Sequence, residues 1–89
     1  MSKTKTEFPE QKHGEMRKEY RIRVVAWIIQ NHPGLVYDEI VSMHKELTGT
    51  LTSKESIVRD IGILEVREEV YTEASETDKR MKQWYACDE

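Results

Sequence analysis

Apolar residues recur at helical spacing along three stretches of this chain and switch to alternation near its end. Between Glu15 and Asn31, one stripe holds Tyr20, Val24, Trp27, Ile28 and Asn31, with Ile22, Val25 and Ile29 as a second apolar group beside it. One amphipathic helix needs an apolar face of only about 100°, and the second half of this helix exceeds that. Two explanations stand level: a core helix covered by its own domain, or a helix that also supplies a homodimer interface. Asn31-His32-Pro33-Gly34 ends it, because proline cannot continue a helix and disfavours helical geometry in the residue before it. A second helix is expected over Asp38 to Leu47, starting at Tyr37 or Asp38 and stopped by Gly49. Its inward candidates are Val36, Ile40, Val41, His44 and Leu47, with His44 read as a partly buried, hydrogen-bonded side chain. Thr48-Gly49-Thr50 reads as a turn, and Leu51 as a plug between the second and third helices.

The third helix opens on Thr52-Ser53-Lys54-Glu55, which has the form of a capping box. Ile57, Ile61 and Leu64 follow at spacings that line one face. The other side presents Glu55, Ser56, Arg59, Gly62, Ile63 and Val66. Gly62 is a weak helix former, which close approach of another backbone or of the following hairpin would explain. The helical pattern stops near Glu68-Glu69. Val70 to Ala74 then reads as a strand, Ser75 to Asp78 as a turn, and Met81 to Ala86 as the return strand. The phase of that strand is open: either Trp84 or Tyr85 faces the core.

A helix running at once into a β-hairpin, behind two other helices, resembles the winged helix-turn-helix transcription regulators. Ser56-Ile57-Val58-Arg59-Asp60-Ile61, Leu64-Glu65 and Glu69-Val70-Tyr71 carry the resemblance, which covers most of the chain from about Glu15 to Ala86. It implies an α+β, mainly α fold: three helices followed by a β-hairpin wing. It also implies that Leu35-Val36 pairs with the wing as a short strand. The third helix would enter the DNA major groove, with Ser53, Lys54, Ser56 and Arg59 as its reading side chains. Lys79, Arg80 and Lys82 of the wing would meet phosphates, or else pair across the hairpin with Glu73, Glu76 and Asp78. The small size and the lack of an effector domain resemble stand-alone regulators of phages, plasmids or archaea.

Composition changes the picture at three points. Met1 to Gly14 is poor in apolar residues and carries Pro9 and Gly14, so it is expected as a flexible arm ahead of a domain over 15–87. A basic arm reaching DNA is the other reading. Second, the net charge is −3, unfavourable for a nucleic-acid binder. Its distribution is uneven: Arg17, Lys18, Arg21 and Arg23 decorate the first helix as an expected solvated surface, whereas 68–78 holds five acids and no base. Third, the lone Cys87 and the absence of a signal peptide or long apolar run point to a cytoplasmic protein without a membrane partner.

No catalytic set is legible. His13, His32 and His44 are far apart and lack neighbouring cysteines or paired carboxylates at metal-ligand spacing. The glycines are isolated, and the carboxylates read as surface runs. Neither an enzyme nor a cofactor or metal is expected. Two functions remain: a homodimeric regulator binding double-stranded DNA sequence-specifically, or a winged-helix module that docks on a protein partner through the acidic segment, Ile63 and Val66.

Overall fold

The computed structural model describes residues 8–74 and 81–87. Three helices, α1 (Arg17–Asn31), α2 (Tyr37–Thr48) and α3 (Lys54–Val66), precede two strands, β1 (Val70–Ala74) and β2 (Lys82–Ala86). The expected turn at 75–78 lies outside the described residues.

The core explains the wide apolar face of α1. Ile22, Val24, Val25, Ile28 and Ile29 are all buried within one cluster with Ile40 of α2, Ile57, Ile61 and Leu64 of α3, and Val70 and Trp84 of the hairpin. The domain covers this helix on several sides. Phe8 adds an edge-on contact to Trp27, with ring centroids 5.2 Å apart. Tyr20 donates its hydroxyl hydrogen bond to the Pro9 carbonyl at 2.9 Å, so 8–14, expected as part of the arm, touches α1.

Helix ends follow local chemistry, with two differences from expectation. The N-cap of α3 is Ser53, not Thr52, and its hydroxyl accepts the Ser56 N–H; Glu55 takes no part. Two adjacent hydroxyls make a one-residue shift of the cap invisible in the sequence. The end of α3 comes at Val66. Glu68 adopts φ +64°, while the Glu68 N–H reaches the Glu65 carbonyl and the Glu69 N–H the Leu64 carbonyl. These two bonds form a Schellman end in which a glutamate holds the left-handed position that usually falls to glycine. Gly49 fills the equivalent position after α2 at φ +73°.

The hairpin register pairs Val70 with Ala86, Thr72 with Trp84 and Ala74 with Lys82. It settles the phase: Trp84 is buried and Tyr85 is half-buried, stacked on Tyr71 at 5.5 Å. Leu35 bridges Trp84 from the other side, through the Trp84 N–H to the Leu35 carbonyl at 3.0 Å and the Gly34 N–H to the Trp84 carbonyl at 2.8 Å. The expected pairing with the wing is therefore present as a single bridge at Leu35 rather than a strand over Leu35-Val36, and β2 lies between it and β1.

Several other expectations are corrected. Leu51 is 76% exposed and Leu47 40% exposed, because Ile40, Ile57 and Ile61 already fill the region between α2 and α3. No neighbour would come within 4 Å of a Cβ on Gly62, so no close approach requires that glycine. His44 is buried, but its Nδ1 has no hydrogen-bond partner; the nearby Thr48 hydroxyl donates instead to the His44 carbonyl at 2.8 Å. Arg21 and Arg23 are not simply solvated. Arg23 pairs with Glu15 at 2.9 Å, and Arg21 pairs with Asp60, a carboxylate that is fully buried and in no surface run.

Candidate nucleic-acid interface

Three inward residues of α3 fix which side of the helix faces out. With Ile57, Ile61 and Leu64 held in the core, Lys54, Glu55 and Arg59 are left exposed. Ser53, Lys54, Glu55, Val58 and Arg59 line one shallow open depression of about 680 Å³ along the first turns of the helix. Its donors are Lys54 and Arg59, and its apolar floor includes Val58.

The expected reading residues divide by what they already bind. The Ser53 hydroxyl is engaged in the cap and also donates to Ser56 Oγ at 3.1 Å. Ser56 is half-buried. Lys54 Nζ lies 2.9 Å from Asp38 Oδ1, with both side chains largely in solvent. Such an exposed pair is worth about 0–1 kcal/mol, so it holds Lys54 only loosely. Arg59 has no ion-pair partner among the described residues.

Lys82 begins β2 and is exposed. It shares a notch of about 240 Å³ with Val36, Tyr37, Asp38, Lys54 and Met81. Lys54 therefore lines both the notch and the depression, joining the hairpin side to the Arg59 side. Burial pushes the Tyr37 phenol up from its ordinary value. Lys79 and Arg80 lie outside the described residues.

Two elements of the site escaped the sequence reading. Asp38 enters as the acidic partner of Lys54, a pairing between two helix starts that spacing cannot reveal. Asp60 ties α3 to α1 through Arg21, on the side of the helix away from Arg59. A signal for it existed: Asp60 falls three residues after Ile57 and beside Ile61, on the flank of the inward stripe.

No family model matches the chain, and no curated protein matches it. Solved structures do. The crystal structure of the transcriptional regulator SlyA matches with a TM-score of 0.59 and 21% identity, over 80% of this chain and 42% of SlyA. Streptococcus pneumoniae FabT, solved in complex with DNA, matches with a TM-score of 0.60 and 16% identity, over 76% of this chain and 43% of FabT.

The fold is a winged helix.

In its terms α3 is the third helix, β1 and β2 are the wing, and Leu35 bridges β2 beside it. The chain spans under half the length of either neighbour. At these identities the likeness is one of fold, and folds host many functions. Among the described residues no helix is long and apolar enough to cross a membrane, and no three metal-binding side chains cluster.

Proposed function

We propose that this chain binds double-stranded DNA as a winged-helix transcription regulator, reading sequence through the outward side of α3 and working as a homodimer. The observation that carries the reading is the line from Lys82 through Lys54 to Arg59 across the start of α3. Base edges are normally met by the N-terminal residues of such a helix, and Arg59 is the guanidinium there, without an ion-pair partner among the described residues. Arginine binds guanine through two parallel hydrogen bonds, so Arg59 is assigned to base contact. Lys82, with Lys79 and Arg80, is assigned to phosphates. The neighbour solved with DNA supports the choice of partner. A dimer doubles a modest basic footprint, which offsets the acidic balance of the chain.

The test is a gel shift on random duplex DNA at low salt, followed by selection of bound sequences. Wild-type protein should shift the duplex, and Arg59→Ala should lose both affinity and sequence preference. Absence of any shift at low salt overturns the reading.

One observation favours docking on a protein instead. Val66 is 83% exposed next to the acidic run that begins at Glu68, a surface suited to a basic protein rather than to DNA. Ile63 drops out of this alternative, since it packs partly against the core. A stoichiometric partner whose binding depends on Val66 and not on Arg59 would establish it.

A further inference from the structure

We infer that the groove between α1 and the turn into α3 seats a backbone phosphate of the bound DNA, with Arg17 as its cation, on the strand opposite to the one met by Lys82. The inference rests on the DNA reading proposed above and adds a second flank to it.

The groove is open, about 720 Å³ in volume, and most of its lining is polar. Arg17 and Arg21 of α1 line it on one side, and Thr50, Thr52, Ser53 and Ser56 on the other. No Asp or Glu is in the lining. Arg17 and Arg21 stand four residues apart and so share one face of α1. Asp60 offsets the charge of Arg21. Arg17 is exposed and makes no ion pair among the described residues, so it sets the charge of the groove. Threonine and serine hydroxyls are common donors to phosphate oxygens. A groove with a cation, hydroxyls and no carboxylate suits one.

The start of α1 points the same way. Arg17 and Lys18 open the helix, and its N-cap, Met16, makes no side-chain cap hydrogen bond. Cations are disfavoured at that end of a helix dipole. Glu19, the acid of the first turn, is outside the groove lining. An anion seated beside Arg17 offsets the cost.

Placement around α3 selects the strand. At about 100° per residue, Lys54 and Ser56 stand about 200° apart, with Glu55 midway between them on the outward side. Lys54 lines the notch with Lys82, and Ser56 lines the groove with Arg17. Ser53 and Lys54 both line the depression that holds Arg59. Notch, depression and groove therefore follow one another around the start of α3. The DNA major groove is about 12 Å wide and admits one helix, so the two flanks of that helix face its two strands. Lys82 and Arg17 then grip opposite strands, with Arg59 over the base edges between them.

The test uses the full chain and the duplex selected by the wild-type protein. Single phosphates on each strand are replaced in turn by neutral methylphosphonates, and fluorescence anisotropy gives the affinities. One replacement should weaken wild type and leave Arg17→Ala unaffected. Within a half-site it should fall on the strand opposite to the one where Lys82→Ala behaves in that way. Arg17→Ala should lower the slope of log affinity against log salt by about 0.9 per bound copy. It should weaken selected and random duplexes alike, with an unchanged thermal melt because the side chain is exposed. Arg17→Lys should keep most of the slope, since a lysine also binds phosphate as a point charge. An unchanged slope in Arg17→Ala, no replacement to which it is indifferent, or one on the strand that Lys82 uses would overturn the inference. Loss of sequence preference in Arg59→Ala would then leave the DNA reading standing, whereas a wild type that shifts no duplex removes both.

Discussion

The guanidinium of Arg21 on α1 donates from both Nε and Nη2 to the two carboxylate oxygens of Asp60 on α3, the second bond measuring 3.1 Å. Asp60 is wholly buried, whereas a quarter of the Arg21 side chain meets solvent. Hydrogen bonding to Asp60 is the main reason the Arg21 guanidinium is held above its ordinary range, against a smaller opposing effect of burial. Removing one partner of such a pair leaves an uncompensated charge, so Arg21→Ala should cost about 3 kcal/mol. The double change Arg21→Met, Asp60→Leu should recover most of that. Urea denaturation of wild type and the two variants gives both numbers. A single variant as stable as wild type would show that the pair does not hold α3 to α1.

His44 makes stability depend on pH. Burial holds its imidazole below the ordinary histidine value; the Arg21 charge adds to this and the Asp60 charge opposes it. The unfolded chain therefore takes up a proton at a higher pH than the folded one, and stability falls as pH drops below the ordinary histidine value toward the depressed one. Above that window the contribution is fully present. Denaturation midpoints measured down this range should fall for wild type and fall less steeply for His44→Gln.

Three backbone positions carry opposite expectations. Gly62 lies mid-helix in open space, so Gly62→Ala should stabilise by up to about 1 kcal/mol. Glu68 occupies left-handed backbone, so Glu68→Gly should stabilise by about 1 kcal/mol. Gly34 has φ +92° beside the Tyr85 ring, and its N–H holds the Trp84 carbonyl. Gly34→Ala should destabilise by about 1 kcal/mol or more. Thermal melts of the three single variants test all of these signs.

Asp38 restrains Lys54 and places a negative charge at the notch. If the outward side of α3 binds DNA, Asp38→Asn should tighten binding severalfold at low salt, since it removes both effects. Fluorescence anisotropy across a salt series is the measurement. Arg59→Ala should weaken binding in the same assay, and Lys82→Ala should lower the slope of log affinity against log salt by about 0.9. Unchanged affinity in Asp38→Asn would place the DNA surface elsewhere.

The limits of sequence reading fall at particular residues. The second helix was legible because Ile40 and His44 repeat one turn apart and Gly49 stops the chain. The inward face of α3 was legible from Ile57, Ile61 and Leu64. Leu51 misled because an isolated leucine in a turn carries no period and hence no direction. The Thr52-Ser53 pair misled by one residue because either hydroxyl can cap.

By itself the sequence determined three helices, a hairpin and the outward placement of Arg59, because periods of 3.6 and 2 are properties of a single segment. Only the tertiary structure decided that Trp84 rather than Tyr85 enters the core, that Asp60 meets Arg21, and that Leu51 faces solvent. Each of these depends on which side chain from a distant segment occupies a shared space. A periodicity says which face of a segment turns inward, and packing alone says what it meets there.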